Sequence, residues 1–326
     1  MQVSEIIYAH QNDIHILSAI GAYPPVTLAA KLLSRLNSPK IGLIVEPAVM
    51  LGWKGPFRRL KAWRSYRKYI NLITVVLAMG NQGRDFYLRA GFRTNQIVPF
   101  LYQCPFGRAE HVSPLADKIR FVYLGQLNHR KGVDQLLQAF LPFRDRQDWS
   151  LAIYGRGPRE RALQGFVAKR GLTKQVSFPG IIQANEVLKH LAMYDVCCVP
   201  SRFDGWGVVT NEAIQAGIPP IVSSKASSSD LVRFSGVGRV YPCGDIPALS
   251  RCLHEYINKP KIIQYEKQLA ISYAPRIMPD TVAAYMKNLF EHFFLGQGPI
   301  PFAPWTDQKS VGSIEDEIKE SGSAHG

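Results

Sequence analysis

Between Ile119 and Ser223, short apolar runs alternate with longer amphipathic ones, and this alternation limits the chain to few architectures. Strands are expected at 119–124, 150–154, 175–178, 195–199 and 219–223, with helices at 133–141, 158–170, 184–193 and 208–216. The first part of the chain reads the same way. SEIIYAH is expected as a strand, TLAAKLLSRL as a helix, KIGLIVE as a strand and Lys54 to Ile70 as a helix. LITVVLAM follows as a strand and NQGRDFYLRAGF as a short helix closed by Gly91, before a loop from Pro99 to Ala116. Alternation of this kind means parallel sheets covered by helices on both faces, an α/β fold. Ligands of such sheets bind beyond the carboxyl ends of the strands, so the loops at 125, 155, 180 and 204 are expected to line one cleft.

The 326 residues, 46% of them hydrophobic, suffice for two domains with sizeable cores. No stretch approaches the ~18–20 apolar residues needed to span a bilayer. Ile70 to Met79 comes nearest, but Asn71 and Thr74 interrupt it and it reads as a buried strand. The start, MQVSEIIYAHQND, lacks the basic region and apolar core of a signal peptide. The five cysteines form no CxxC pair. Cys197 and Cys198 fall inside an expected strand as inert core residues, which fits a reducing compartment. No His, Cys or acidic cluster has metal-ligand spacing, so neither a metal nor a cofactor is expected.

Chemical signals concentrate in SRFDGWGVVTNEAIQAGIPPIV, from Ser201 to Val222. YDVCCVP before it reads as a buried strand, and VVTNEAIQAG as a helix closed by Gly217. Gly205 and Gly207 allow a tight turn and close approach of a ligand, while the amides of Gly207, Val208 and Val209 at the helix start can bind an anion such as a diphosphate. Asp204 would face that anion. Glu212, about one turn into the helix, could accept hydrogen bonds from vicinal hydroxyls such as those of a ribose. A nucleotide-sugar carries both groups.

At these residues the chain resembles the retaining glycosyltransferases of family 4, whose signature is an acidic residue, seven others and a glutamate. The likeness runs from Ile119 to about Leu253 and includes IRFVYLGQLNHRKGVDQLLQAF, LAIYGRGP, VSFPG and SSSDLVRFSGVGRVY in the family's order. It implies the GT-B fold, two Rossmann-like domains facing across a cleft. Residues 1–116 are expected as an acceptor-side domain, 117–275 as the nucleotide-sugar-binding domain, 276–296 as a helix returning to the first domain, and 297–326 as a disordered tail. The family's first strand and glycine-rich loop, which precede the stretch matched to SEIIYAH, have no counterpart. The N-terminal domain is therefore expected to be incomplete, with part of the cleft wall missing.

The resemblance also assigns roles. A GR…KG pattern supplies two cations to the leaving diphosphate in the family. Here Lys131 matches the lysine, Gln126 stands at the arginine position beside Gly125, and Arg130 is the candidate replacement. Such cations at a helix start oppose the helix dipole unless an anion joins them, which favours a bound phosphate over ordinary surface bases. Glu212 resembles the ribose ligand and Asp204 the residue near the donor sugar, shorter by one methylene than the commoner Glu. The nucleotide base is expected near Gly180 and Ile181, and Gly205, Trp206, Gly207, Val208 and Val209 complete the donor site. In the favoured retaining scheme the leaving phosphate helps to deprotonate the acceptor, so no covalent nucleophile is assigned and no metal is needed. Glu46 ends KIGLIVE where the family often has a histidine that touches the sugar; it reads equally as a capping or ion-pairing carboxylate. His10 and His15 read as surface histidines with a minor claim to a catalytic role.

Net charge is +14, and residues 1–115 contribute fourteen Lys and Arg against five Asp and Glu. Seven of those bases lie between Trp53 and Ile70, in WKGPFRRLKAWRSYRKYI, with five aromatics and no acid. Phe57, Leu60, Trp63 and Ile70 have helical spacing, so the segment reads as a basic amphipathic helix. Such a helix either meets an anionic membrane surface or is a solvated surface helix packed on its own domain. No nucleic-acid motif accompanies the charge.

The function expected from these residues is retaining transfer of a sugar from a nucleotide-sugar to a glycan or lipid-linked acceptor in polysaccharide or lipopolysaccharide biosynthesis. The expected location is cytoplasmic, peripheral at the inner membrane face. The alternative is a nucleotide-sugar-binding or scaffold protein that lost catalysis with its N-terminal piece. A GT-B epimerase is disfavoured because its acids would come from other motifs.

Overall fold

A computed structural model describes residues 2–47, 55–104 and 114–306 of the chain. It divides into two compact units, Met1–Tyr102 with Ala283–Ala303, and Gln103–Val282 with Pro304–Gly326. The boundary therefore falls before the expected position at 116, and the returning segment starts at Ala283.

The first unit contains α1 (Val3–Ala9), β1 (Ile14–Leu17), α2 (Pro24–Leu33), β2 (Lys40–Val45), α3 (Gly55–Arg67), β3 (Ile73–Met79), α4 (Gly80–Arg89) and β4 (Ile97–Phe100). The strands form a parallel sheet in the order β1-β2-β3-β4. SEIIYAH is helical, which corrects the expected strand. Val3, Ile6 and Ile7 have helical spacing, Ile7 is buried, and the Glu5 carboxylate accepts the Gln2 backbone N–H at 3.0 Å, capping the first turn. The first strand is instead IHIL. Pro99, expected to open a loop, lies in β4, an edge strand, where a missing N–H costs no ladder bond. Its carbonyl accepts a hydrogen bond from Tyr285 Oη at 2.9 Å.

Helix α3 docks through Tyr66, which is buried and meets Tyr87 and Phe92 edge to face at centroid distances of 5.6 and 6.0 Å. Phe57 is 67% exposed and Leu60 46% exposed, so these expected anchors do not pack on the unit. Trp53 and Lys54, at the start of the expected helix, lie outside the described residues.

The second unit contains β5 (Ile119–Leu124), α5 (Val133–Phe140), β6 (Trp149–Tyr154), α6 (Glu160–Lys169), β7 (Val176–Gly180), α7 (Val187–Leu191), β8 (Val196–Val199), α8 (Val209–Gln215), β9 (Pro220–Ser223), α9 (Ser229–Ser235), β10 (Arg239–Tyr241), α10 (Ile246–Asn258) and α11 (Pro260–Tyr273). The last long helix, α12 (Pro279–Leu295), begins in this unit and continues into the first. The six strands are parallel in the order β10-β9-β8-β5-β6-β7. Side chains alternate between the two faces of the sheet. Phe121, Tyr123, Val196 and Cys198 join one buried cluster, while Val122, Cys197 and Val199 join another. The two adjacent cysteines are thus core residues on opposite faces, with their thiols pushed up by burial.

Of the chain from Gln297 on, expected to be disordered, Ile300 and Phe302 are exposed, whereas Ala303 and Trp305 are buried. Trp305 is 2% exposed and its carbonyl accepts from Tyr273 Oη at 2.6 Å, so burial of one large ring fixes the segment. Residues 307–326 lie outside the described part.

Candidate functional site

Strand order in the second unit reverses between β5 and β8. Phe121 and Val122 of β5 pair with Val196 and Cys197 of β8, and the chain leaves the two strands in loops that run to opposite sides. This is the topological switch point at which open parallel sheets bind ligands.

The loop after β5 carries Gln126, Arg130 and Lys131. Asn128 caps the short turn His129–Lys131 by accepting the Lys131 backbone N–H at 3.1 Å, and Tyr123 Oη donates to the Gln126 carbonyl at 2.9 Å. Gly132 follows with φ +69°, and a Cβ there would lie 2.0 Å from the Pro200 carbonyl oxygen. Only glycine allows this loop to lie against the end of β8. At Gly155 a Cβ would lie 1.8 Å from the Gly125 carbonyl oxygen, and the Gly155 N–H donates to Gly180 at 2.6 Å. The loops at 125, 155 and 180 are therefore stacked at van der Waals limits. Gly180 uses its carbonyl in that stack, and the neighbouring Ile181 is 66% exposed.

The loop after β8 brings Asp204 to the same place. Lys131 Nζ is 2.5 Å from Asp204 Oδ2 and Arg130 Nη1 is 3.1 Å from Asp204 Oδ1. Ser201 Oγ donates to Oδ2 at 3.2 Å. Asp204 is itself fixed by its backbone, which donates to the Lys225 carbonyl and accepts from Ser227. The two cations expected to face a phosphate and the acid expected to face a sugar are thus in direct contact. Beneath them, burial first and the Asp204 charge second push the Tyr123 hydroxyl well above the usual range. On the flank, Arg202 makes two bonds of 2.8 Å to Asp134 at the start of α5, and Arg159 adds a third contact at 3.2 Å. Burial opposes ionisation of Asp134, but these cations hold its carboxyl below the usual range.

Gly205, Trp206, Gly207, Val208 and Val209 connect the loop to α8. Trp206 is turned inward, buried, with Nε1 donating to Asn211 Oδ1 at 2.8 Å, so it pins the loop to the helix. The first amides of a helix have no acceptor within it and remain available to an anion. Glu212 lies in α8, and among the described residues no group is hydrogen-bonded to its carboxylate. Burial pushes its carboxyl up to about 7. Its charge is felt by the buried thiols of Cys104 and Cys197. Sequence reasoning missed Ser201 and Asn128. Both act through local turns, and neither residue type marks a site by itself.

Glu46 follows β2 in the first unit, at the rim of a cavity of 760 Å³. Tyr102 hydrogen-bonds to Glu46, and burial together with that carboxylate pushes its hydroxyl up to about 12. His10 bonds Asp13 at 2.8 Å and His15 bonds the His10 carbonyl at 2.9 Å, so these histidines form a local surface turn. Among the described residues, no group of three or more His, Cys, Asp or Glu is placed to hold a metal ion. No described helix is long and apolar enough to cross a membrane.

Residues 108–275 match the family model described as glycosyl transferases group 1. A GDP-mannose-dependent alpha-(1-6)-phosphatidylinositol monomannoside mannosyltransferase of Mycolicibacterium smegmatis is 31% identical over 155 residues, 45% of this chain and 41% of that protein. The chain thus spans under half the length of this curated relative. Among solved structures, sucrose-phosphate synthase of Thermosynechococcus elongatus aligns at TM-score 0.71 with 18% identity, covering 90% of this chain and 77% of that one. Anabaena HepE in complex with UDP aligns at TM-score 0.69 with 15% identity, covering 88% and 82%. These likenesses place the fold in the α/β GT-B class.

Proposed function

The chain belongs to the glycosyl transferases group 1, and on that premise we propose that it moves a sugar from a nucleotide-sugar donor to a glycan or lipid-linked acceptor in polysaccharide or lipopolysaccharide biosynthesis. The observation that carries this reading is the convergence of Arg130, Lys131 and Asp204 at the sheet's switch point, with the Glu212 carboxylate, unpartnered among the described residues, on the following helix. The Mycolicibacterium smegmatis relative, named for GDP-mannose and phosphatidylinositol monomannoside, and the UDP bound to HepE agree with it.

In this reading the diphosphate competes with Asp204 for Arg130 and Lys131. The two cations and the first amides of α8 stabilise the negative charge that develops on the leaving group, and Asp204 then turns to the donor sugar. Glu212 accepts the ribose hydroxyls, and the base lies near Gly180 and Ile181. Transfer proceeds with retention and without metal, the leaving phosphate taking the acceptor proton on the same face. The first unit selects the acceptor, with Glu46 orienting it. Helix α3 meets an anionic membrane surface: Phe57 and Leu60 are exposed beside Arg64, Arg67 and Lys68, and Arg67 lies 4.9 Å over the Trp63 ring.

The test is calorimetry of the full chain with UDP-, GDP- and ADP-sugars, followed by transfer assays with membrane extracts as acceptor and nuclear magnetic resonance of the product's anomeric centre. Binding of one donor class, transfer with retained configuration and activity that survives EDTA are expected. Donor binding without transfer would move the assignment to a nucleotide-sugar-binding protein. An inverted product or an EDTA-sensitive rate would overturn the mechanism.

A further inference from the structure

Two sets of bonds join the loop after β5 to the loop after β8. One is the contact of Arg130 and Lys131 with Asp204, which a phosphate entering the site would displace. The other makes no use of the Asp204 carboxylate. The Arg202 backbone N–H donates to the Arg130 carbonyl at 2.8 Å, and its side-chain Nη1 donates to the His129 carbonyl at 2.8 Å. Both ends of one residue thus hold consecutive carbonyls of the turn that carries the two cations. Arg130 Nη1 donates in return to the Phe203 carbonyl at 3.3 Å, so the grip between the loops is reciprocal.

The charge of Arg202 is matched within the protein. Its Nη1 and Nη2 each donate to one oxygen of Asp134 at 2.8 Å, a fork on a carboxylate that lysine cannot reproduce. Asp134 lies in the first turn of α5, where a carboxylate suits the helix dipole, and Arg159 shares it at 3.2 Å. The Arg202 carbonyl accepts from Cys243 Sγ at 3.7 Å, which adds a contact from the loop after β10. Arg202 therefore differs in kind from Arg130 and Lys131. Those two share a carboxylate that a competing anion could replace, whereas Arg202 is anchored to a helix.

We propose that Arg202 is a positioning residue, which keeps Arg130 and Lys131 in place when a diphosphate takes over from Asp204. The catalytic part of this role rests on the transferase reading; the hold on the turn does not. Once Asp204 is released, its ion pairs no longer space the two loops, while the bonds of Arg202 to His129, Arg130 and Asp134 persist. Cations that only attract an anion tolerate some drift. Cations aimed at charge developing on a leaving group do not, since a displacement of about 1 Å can cost about 10²-fold in rate. Loss of Arg202 should therefore act on turnover more than on affinity.

Hydrogen exchange of the full chain, read by mass spectrometry on peptides spanning residues 128–133, tests the hold on the turn without any ligand. D204N should leave exchange there within about twofold of the parent, whereas R202M should speed it about tenfold, with peptides of β6 unchanged. R202K, which keeps the charge and loses the fork, should speed it about threefold or more and carries the comparison if R202M does not fold. Calorimetry with UDP and GDP, and nucleoside diphosphate release from UDP-glucose and GDP-mannose in the presence of membrane extract, test the catalytic part. For the nucleotide that the parent binds, R202M should keep Kd within about threefold and lower turnover about 10–10²-fold. Parent-like exchange in R202M and R202K, faster exchange in D204N than in either, a rise spread evenly over the whole chain, or an affinity loss as large as the loss of turnover would each overturn the role of Arg202. A parent chain that neither binds nor turns over these compounds would count against the transferase reading, and the exchange data would still decide whether Arg202 holds the turn.

Discussion

Lys131 Nζ stands 2.5 Å from Asp204 Oδ2, so a cation and an acid 73 residues apart in sequence form one ion pair in the loops beyond the two central strands of the second sheet. The pair is shielded, with side-chain exposures of 17% and 10%, and Arg130 shares the same carboxylate. An anion entering here meets an internal competitor. The shorter Asp keeps its carboxylate on the cations.

Neutralising that competitor should strengthen anion binding. D204N is expected to bind UDP or GDP about tenfold more tightly, ~1.4 kcal/mol, while transfer falls because the sugar loses its acid. Calorimetry with the free nucleotide and initial rates with the donor separate the two effects. Weaker nucleotide binding in D204N would show that the acid organises the cations and does not compete with the phosphate.

Removing either cation should act on rate before stability. K131A and R130A are each expected to lower turnover about 10²–10³-fold, the scale of a lost transition-state donor. The stability loss should stay within about 1–2 kcal/mol, because Asp204 keeps its other donors, including Ser201. Urea melts and single-turnover rates on the same preparations decide. A melt displaced far more than the rate would make the pair a structural clasp.

Glu212 makes stability depend on pH in a defined direction. Its carboxyl, raised to about 7 by burial, binds its proton more tightly in the fold than in the unfolded chain. Its contribution is fully present below the ordinary carboxyl pKa, falls as pH rises and is lost above about 7. E212Q should therefore stabilise the protein at about pH 8 by on the order of 2–3 kcal/mol and have little effect at about pH 4. E212A should weaken nucleotide-sugar binding by about 1–3 kcal/mol. Melts across pH and calorimetry check both; a pH-independent E212Q effect would place the carboxylate in water.

A second buried cluster serves as a control on fold. Asp195 accepts from Arg120 at 2.8 and 2.9 Å and from Lys267 at 2.8 Å; burial alone would raise its carboxyl, but these bonds hold it below the usual range. Its stabilisation is present above the ordinary carboxyl pKa and is lost as pH falls through the depressed value. K267A should destabilise by about 1–3 kcal/mol, because Asp195 keeps Arg120, and K267M/D195N by more, because Arg120 then loses its carboxylate as well. Nucleotide affinity of the folded fraction should not change.

Vesicle sedimentation examines α3. The chain should bind vesicles containing phosphatidylglycerol and leave them as salt rises, since the attraction is screened over ~10 Å at 0.1 M. R64A/R67A/K68A should release it, each base contributing about 1 kcal/mol. Binding to neutral vesicles alone, or none at low salt, would leave α3 a solvated face.

Much of the second unit was legible because each strand there is an apolar run between turn residues, and parallel burial on both faces leaves such runs unbroken. The first unit was harder to read. SEIIYAH is short enough for its apolar residues to fit either period, and the capping bond of Glu5 decides for helix. IVPF was hidden by Pro99, whose edge position is a property of the sheet and not of the segment. Arg130 and Asp204 were both identifiable as site residues, but their mutual contact was not, since it depends on which strands become neighbours. The exposed Phe57 and buried Tyr66 show the same limit: period locates an apolar stripe, and packing chooses which stripe goes inward.

Because β5 pairs with β8 and not with the strands that flank it in the chain on that side, the loops bearing Lys131 and Asp204 meet only after the segment through Val199 has been made and threaded into place. Non-local parallel pairing of this kind is slow, as a long loop must close before any contact rewards it. A nascent chain that stops before β8 holds Arg130 and Lys131 with no acid to meet them. In the transferase reading, nucleotide affinity would therefore serve as a clock for the closing of the central strand pair during refolding.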